Sequence, residues 1–268
     1  IASSLIFLYC FTIKESLKFK LKDHFFLFLL GAGMFSIHCL LIYEAAFYLV
    51  SAIVCLLFSC VSLFNILNSY LFFRSKPEKQ VLIGAGLGVI GIALFFWEEA
   101  AQFKFSEKTI YGASLALSGS YVFSLGNLLG KRNQTAGFKL VPSVAWGMLY
   151  GSLIMFFYSF FKHVPFDISY KASYWISLMY LAIPGSIVAF LSYLKLIERI
   201  GPEKTGYATV LFPVIALLIS IAVEGYTPSY YDLIGMCLIF LGNILVMAKP
   251  CLFQDITSRL KNVLHTQS

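Results

Sequence analysis

Charge is what this sequence has least of. Asp, Glu, Lys and Arg make up 12% of it, about half of the roughly 25% carried by an ordinary soluble domain. With 59% hydrophobic residues and a mean hydropathy of +0.83, a soluble fold would need a larger core than 268 residues can enclose. That excludes a water-soluble globular class and points to an integral membrane protein. The six cysteines, Cys10, Cys39, Cys55, Cys60, Cys237 and Cys251, form no C-x-x-C pair, and five lie in apolar stretches. They read as reduced packing residues, with no disulfide framework and no metal or other cofactor expected. H-E-x-x-H, G-x-S-x-G and clustered His/Asp are missing too. A membrane-embedded enzyme, such as a lipid-modifying transferase, would need such a set and is the weaker alternative.

What is present is a series of runs without a single Asp, Glu, Lys or Arg: 24–43, 45–73, 80–97, 109–130, 140–161, 172–194, 205–223 and 233–248. Most reach the roughly 20 residues that a helix needs to cross a bilayer. A further run at residues 1–13, "IASSLIFLYCFTI", is too short to span. The basic connections at 14–23, 74–80, 131–139 and 195–204, with the tail from Lys249, hold 16 of the 20 Lys and Arg. They alternate with connections that hold only four. Because Lys and Arg collect on the cytoplasmic side, the basic set, C-terminus included, is expected to face the cytoplasm across a plasma (inner) membrane. Basic residues spread over short loops do not make a nucleic-acid surface, so no nucleic acid is expected as a partner.

The stretch "GAGLGVIG" (84–91) contains G-x-G-x-x-G, a spacing that in a soluble enzyme suggests a dinucleotide site. A second copy argues otherwise. "PEKQVLIGAGLGVIGIAL" (77–94) and "PSYYDLIGMCLIFLGNIL" (228–245) share Pro77/Pro228, Gly84/Gly235, Gly91/Gly242 and four aliphatic positions, all 151 residues apart. In that copy Gly86 and Gly88 become Cys237 and Ile239, which breaks the fingerprint and keeps only Gly84 and Gly91. A dinucleotide site would also need a preceding strand and a following acidic residue, and neither is predicted. The glycines read as surfaces for close helix packing. So do the G-x-x-x-G pairs Gly84/Gly88, Gly126/Gly130 and Gly147/Gly151. Shifting the second half back by 151 carries 140–161 onto the short first run. The expected unit is therefore five helices written twice with opposite orientation, as in secondary transporters, with the first helix and part of the second missing at the N-terminus. The expected divisions are 1–98 for the first repeat, 99–108 for a periplasmic linker, 109–248 for the second repeat and 249–268 for a cytoplasmic tail. In that tail Leu252, Ile256, Leu260 and Val263 fall at helical spacing, which reads as an amphipathic helix on the membrane surface.

Several stretches resemble the EamA-type, ten-helix branch of the drug/metabolite transporter superfamily. They are "SLMYLAIPGSIVAFLSYLKLIERIGPEKTGYATVLFPVIALLISIAVEG" (177–225), "LIGMCLIFLGNILVM" (233–247), "LLIYEAAFYLVSAIVCLLFSCVSLFNIL" (40–67) and "AWGMLYGSLIMFF" (145–157). The resemblance implies an all-α polytopic fold, cytoplasmic termini, a central cavity between two five-helix bundles, and transport of a small solute. In the first half, Ser59, Cys60 or Ser62 stands where the family often has proline.

No acidic or basic side chain lies deep in a complete run; Glu44, Glu198 and Glu224 sit at run ends. Proton coupling is therefore not specified by these residues. Pro213 and Pro184-Gly185 lie mid-run and read either as structural kinks or as bends lining a cavity. His38 is a structural histidine or a titrating one. Asn65, Asn68 and Asn127 are buried amides that either join helices or line a polar cavity. Trp146, Tyr150, Tyr121 and Tyr193 suit a cavity for amphipathic or aromatic solutes, or pack against lipid. The expected cavity set is thus Tyr121, Asn127, Trp146, Tyr150, Tyr193 and Pro213. The sequon Asn133-Gln134-Thr135 falls in an expected cytoplasmic loop. The reading of choice is a transporter that exports a small metabolite or drug-like solute by alternating access. The alternative from another class is a membrane-embedded structural or receptor protein, and the oligomeric state is left open.

Overall fold

The computed structural model describes residues 1–74, 79–95, 106–163, 170–205, 215, 218–225 and 229–247. Among them every regular element is helical. Helix α1 is Ala2–Thr12. Helix α2 is the span Leu21–Ala45, and α3 (Ser51–Phe58) and α4 (Val61–Phe73) follow it. Next come α5 (Lys79–Phe95), α6 (Glu107–Thr135) and α7 (Leu140–Phe161). Helix α8 runs through Ala172–Ala182, the turn Ile183–Val188 and Ala189–Thr205, and α9 is Tyr230–Met247. Four stretches among the described residues are long and apolar enough to cross a membrane: Leu21–Ala45, Ile53–Phe73, Leu140–Phe161 and Ala172–Pro202. The chain is an all-α, multi-pass membrane protein. Pro213, most of the 205–223 run, residues 99–105 of the expected linker and the tail 249–268 lie outside the described residues.

Helix α6 is the hub. Its 29 residues would extend about 44 Å at 1.5 Å per residue. Its stripe of Gly112, Ala116, Gly119, Ser120, Phe123, Ser124, Gly126, Asn127, Gly130 and Asn133 is buried. So many small and polar residues dilute its hydropathy. They also let α2, α3, α4 and α8 pack around it. Ser106 caps its start by accepting the Thr109 N–H at 3.1 Å.

The charge-free run 45–73 is not one helix. The chain turns at 46–50, and the helix that follows breaks at Ser59–Cys60. No proline causes that break. Ser59 Oγ donates to Leu56 O at 2.6 Å and Ser62 Oγ to Ser59 O at 2.9 Å. These hydroxyls take carbonyls that would otherwise continue the helical ladder.

Three π-helical turns occur among the described residues, Gly33–Ile37 in α2, Ile183–Val188 in α8 and Ser220–Glu224 before α9, and the first two interrupt long spans. Shifted by 151, the first falls on 184–188. Pro184 has no N–H to give to the preceding turn. In both turns a serine satisfies a carbonyl five residues back: Ser36 Oγ donates to Gly31 O at 3.2 Å and Ser186 Oγ to Leu181 O at 2.8 Å.

Helices α5 and α9, which carry the two glycine stretches, pack against each other. A Cβ on Gly91 would stand 2.6 Å from Gly235 O and 3.1 Å from Ile239 N. A Cβ on Gly242 would stand 2.5 Å from Gly84 O and 3.2 Å from Gly88 N. Each contact is the other shifted by 151 residues, so this antiparallel pair is locally two-fold.

The ends of the helices sort by charge. At one end Lys139 pairs with Glu15 at 2.6 Å, Phe19 meets Phe138, and Arg132 lies 3.3 Å from the centre of the Phe26 ring. This brings the basic connections 14–23 and 131–139 together. At the other end the turn at 46–50 meets the start of α6 through the edge-on rings of Tyr48 and Tyr111.

Candidate functional site

The interior holds a seam of amides where α4, α6 and α8 meet. Asn127, on the buried stripe of α6, donates through Nδ2 to Asn65 Oδ1 at 3.2 Å and to Tyr193 Oη at 3.0 Å. Asn65 in turn donates through Nδ2 to Pro202 O at 2.9 Å. That carbonyl is available because α8 breaks at Gly201, whose φ of 82° falls in the left-handed region. One turn along α4, Asn68 donates to Ser124 Oγ at 3.0 Å. Asn65, Asn68 and Asn127 are fully buried, and Asn68 Oδ1 and Asn127 Oδ1 have no partner among the described residues. A buried acceptor left open costs about 1–3 kcal/mol. The seam therefore holds capacity to accept hydrogen bonds that the described residues do not use.

Aromatic rings continue the seam towards α2. Tyr193 lies 5.7 Å from Phe123, Phe123 packs on Phe58 and His38, and Phe35 meets Phe190 edge-on at 4.8 Å. Beyond Phe35 and Phe190 opens a cavity of about 560 Å³, lined in part by Phe35, Cys39, Met148, Ser152, Ser186 and Phe190. Its walls are mostly apolar with a few hydroxyls and a thiol, the usual make-up of a site for a small organic ligand. Both π-helical turns of the long spans border it: Phe35 belongs to the first and Ser186 to the second.

The expected cavity residues divide among three places. Asn127 and Tyr193 meet in the amide seam. Trp146 and Tyr150 stack on each other at the basic end of α7, where Trp146 Nε1 donates to Leu17 O at 3.1 Å and Tyr150 Oη lies 2.9 Å from His24 Nδ1. Tyr121 is partly exposed and packs edge-on against Phe64. None of these five lines the 560 Å³ cavity, and Pro213 lies outside the described residues. The cavity is lined from α7 by Met148 and Ser152 instead, on a different face from Trp146 and Tyr150.

The glycines at helix contacts behave unequally. Gly31 lies against Gly147 and Gly151, where its Cβ would stand 2.5 Å from Gly147 O, and a Cβ on Gly151 would stand 2.7 Å from Phe35 Cβ. Gly126 faces Gly33 and Met34, while a Cβ on Gly130 would stand 2.6 Å from Leu194 Cδ2. Gly84, Gly91, Gly235 and Gly242 meet in the α5–α9 pair described above. Gly88 gives its N–H side to Gly242, but a Cβ on Gly86 or Gly88 would meet nothing within 4 Å. Among the described residues no group of three His, Cys, Asp or Glu is placed to hold a metal ion, and none of the five described cysteines is disulfide-bonded.

The fold agrees with a protein of known crystal structure at a TM-score of 0.67, covering 91% of this chain and 83% of the other, at 15% identity. Residues 110–248 match the EamA-like transporter family. The chain belongs to that family, within the drug/metabolite transporter superfamily. It is 27% identical to protein PecM of Dickeya dadantii over 88% of this chain and 76% of PecM. It is also 27% identical to the uncharacterized inner membrane transporter YedA of Escherichia coli, over 75% of this chain and 65% of YedA. The uncharacterized transporter YyaM of Bacillus subtilis is 25% identical over 64% of this chain. The chain thus spans 56% of YyaM and somewhat under two thirds of YedA.

Proposed function

We propose that this chain moves a small organic solute across the membrane by alternating access, in the direction of export, with its C-terminus in the cytoplasm. The observation that carries the reading is the pair of π-helical turns at positions 151 residues apart, both bordering one cavity. A π turn holds one residue more than the α ladder needs, and removing or moving that bulge turns the helix beyond it. Two such turns bordering one cavity supply walls that can shift without unfolding the spans. The family membership supports transport, and the inverted repeat expected from the sequence supports two alternative openings.

Residues Ile1–Ser4 also line the cavity, and none of the residues that line it carries a charged side chain, which supports an uncharged or amphipathic solute. Cys39, Ser152 and Ser186, which line the cavity, are proposed to meet the solute's polar group. Ser152 is exposed on the cavity wall, and Ser152→Trp should fill the space without displacing backbone. Cells expressing the chain are expected to accumulate at least one solute in the medium that cells expressing Ser152→Trp at equal membrane level do not. Identical metabolite profiles for the two, at equal membrane insertion, would remove export from consideration.

A further inference from the structure

At the basic end, away from the 560 Å³ cavity, a cleft of about 330 Å³ opens between α4, α6 and the break in α8. It is lined by Ser69 and Phe73 from α4, Lys131 from α6, and Ile200, Gly201 and Lys204 from α8, among others. Three features of it are unused by the fold. Neither Lys131 nor Lys204 forms an ion pair among the described residues, where the pairs are Lys139–Glu15 and Lys195–Glu198. Ser69 is 1% exposed, yet its Oγ has no hydrogen-bond partner among the described residues. The outer wall is apolar and open, with Phe73 46% and Ile200 42% exposed.

We propose that this cleft binds the phosphate of an anionic phospholipid from the surrounding leaflet. Two ammonium groups and a buried hydroxyl supply donors and positive charge for a group with several acceptor oxygens. The exposed Phe73 and Ile200 beside them continue into the apolar flank of α4, where Leu71 and Phe72 also face outward. An amphiphile with an anionic head and acyl tails satisfies both halves of the cleft, whereas a small polar anion satisfies only the lysines and Ser69. The position fits as well. Basic residues just outside the apolar spans sit at headgroup depth, and basic pockets between helices on that side hold anionic headgroups.

The test uses the whole chain reconstituted in equal parts of phosphatidylglycerol and phosphatidylcholine, with retained lipids counted by native mass spectrometry after delipidation. The wild-type chain is expected to keep phosphatidylglycerol in preference. Lys131→Gln combined with Lys204→Gln should lower that preference about tenfold. Ser69→Ala should lower it in part, and its small change in volume keeps the fold intact. Lys108→Gln with Lys162→Gln, at the other end of the helices, should leave it unchanged. Equal retention of the two lipids, or full retention by the Lys131/Lys204 double variant, would overturn the proposal. So would millimolar inorganic phosphate binding alone and expelling the lipid, an outcome that reassigns the cleft to a soluble anion.

Discussion

Asn127 shows how much one side chain can hold in a membrane interior. Its amide ties α4 to α8 through Asn65 and Tyr193, and both Asn65 and Asn127 are fully buried. Asn127→Ala leaves Asn65 Oδ1 and the Tyr193 hydroxyl without it and opens space in a buried stripe. It should lower stability in detergent by about 2–4 kcal/mol, combining the unmet polar groups with lost packing. Tyr193→Phe removes a single hydroxyl and should cost only about 0.5–1.5 kcal/mol. Thermal unfolding of the purified variants checks the order, and a Tyr193→Phe loss as large as that of Asn127→Ala would contradict the geometry. The sequence exposes the buried amides by their position in charge-free runs. It does not say which of them meet, because the partners lie 62 and 66 residues apart.

Between helices, the glycines separate into two groups that spacing alone cannot distinguish. Gly→Ala inside a helix favours folding by roughly 1 kcal/mol through propensity, unless the methyl meets a neighbour. Gly86→Ala and Gly88→Ala are therefore expected to be neutral or slightly stabilising. Gly91→Ala and Gly242→Ala drive a methyl against a backbone oxygen and should cost about 1–3 kcal/mol. Melting curves of the four variants decide it; a common sign for all four would show that α5 and α9 do not approach as described. The π-helical turns have a testable role of their own. Deleting one residue from Ile183–Val188 restores the α ladder and rotates the rest of α8 by about 100°. Solute export should be abolished while membrane insertion persists. Nothing in hydrophobic periodicity announces such a turn, since one extra residue leaves an apolar run apolar. Only Ser36, Ser186 and the Pro184-Gly185 pair hint at it, by offering hydroxyls and by withholding an N–H.

For the molecule as a whole, charge-free length marks most helices well, because a bilayer penalises charge wherever it falls in a span. The signal fails where a turn contains no polar residue, as at 46–50, whose Ala46, Phe47 and Tyr48 read like the helices on either side. It also misleads where hydropathy is averaged. Helix α6 lies at the centre of the bundle yet looks less apolar than its neighbours, since small residues are what a hub requires. The pairing of basic connections at one end gives an expectation for sidedness. A cysteine at Ala136 in an otherwise cysteine-free chain should react with a membrane-impermeant thiol reagent only after the cells are opened, whereas a cysteine at Ser106 should react from outside. The opposite pattern would invert the proposed orientation. Breaking the exposed Lys139–Glu15 pair by Lys139→Ala should change stability by less than about 1 kcal/mol, as a thermal melt would show. The connections 14–23 and 131–139 are held together by packing far more than by that ion pair.

The contact between α5 and α9 is one that two separate, identical chains could make as readily as two parts of a single chain. In such a pair every substitution would strike both halves of the contact at once, and an isoleucine that suited one side would be forced on the other. Joined in one chain, the halves are released from that bond. Ile239 now stands against Gly91 where the corresponding Gly88 stands against Gly242. The protein has kept the symmetry of the handshake while letting each hand grow differently, and that is the freedom a carrier needs if its two faces are to meet different solutions.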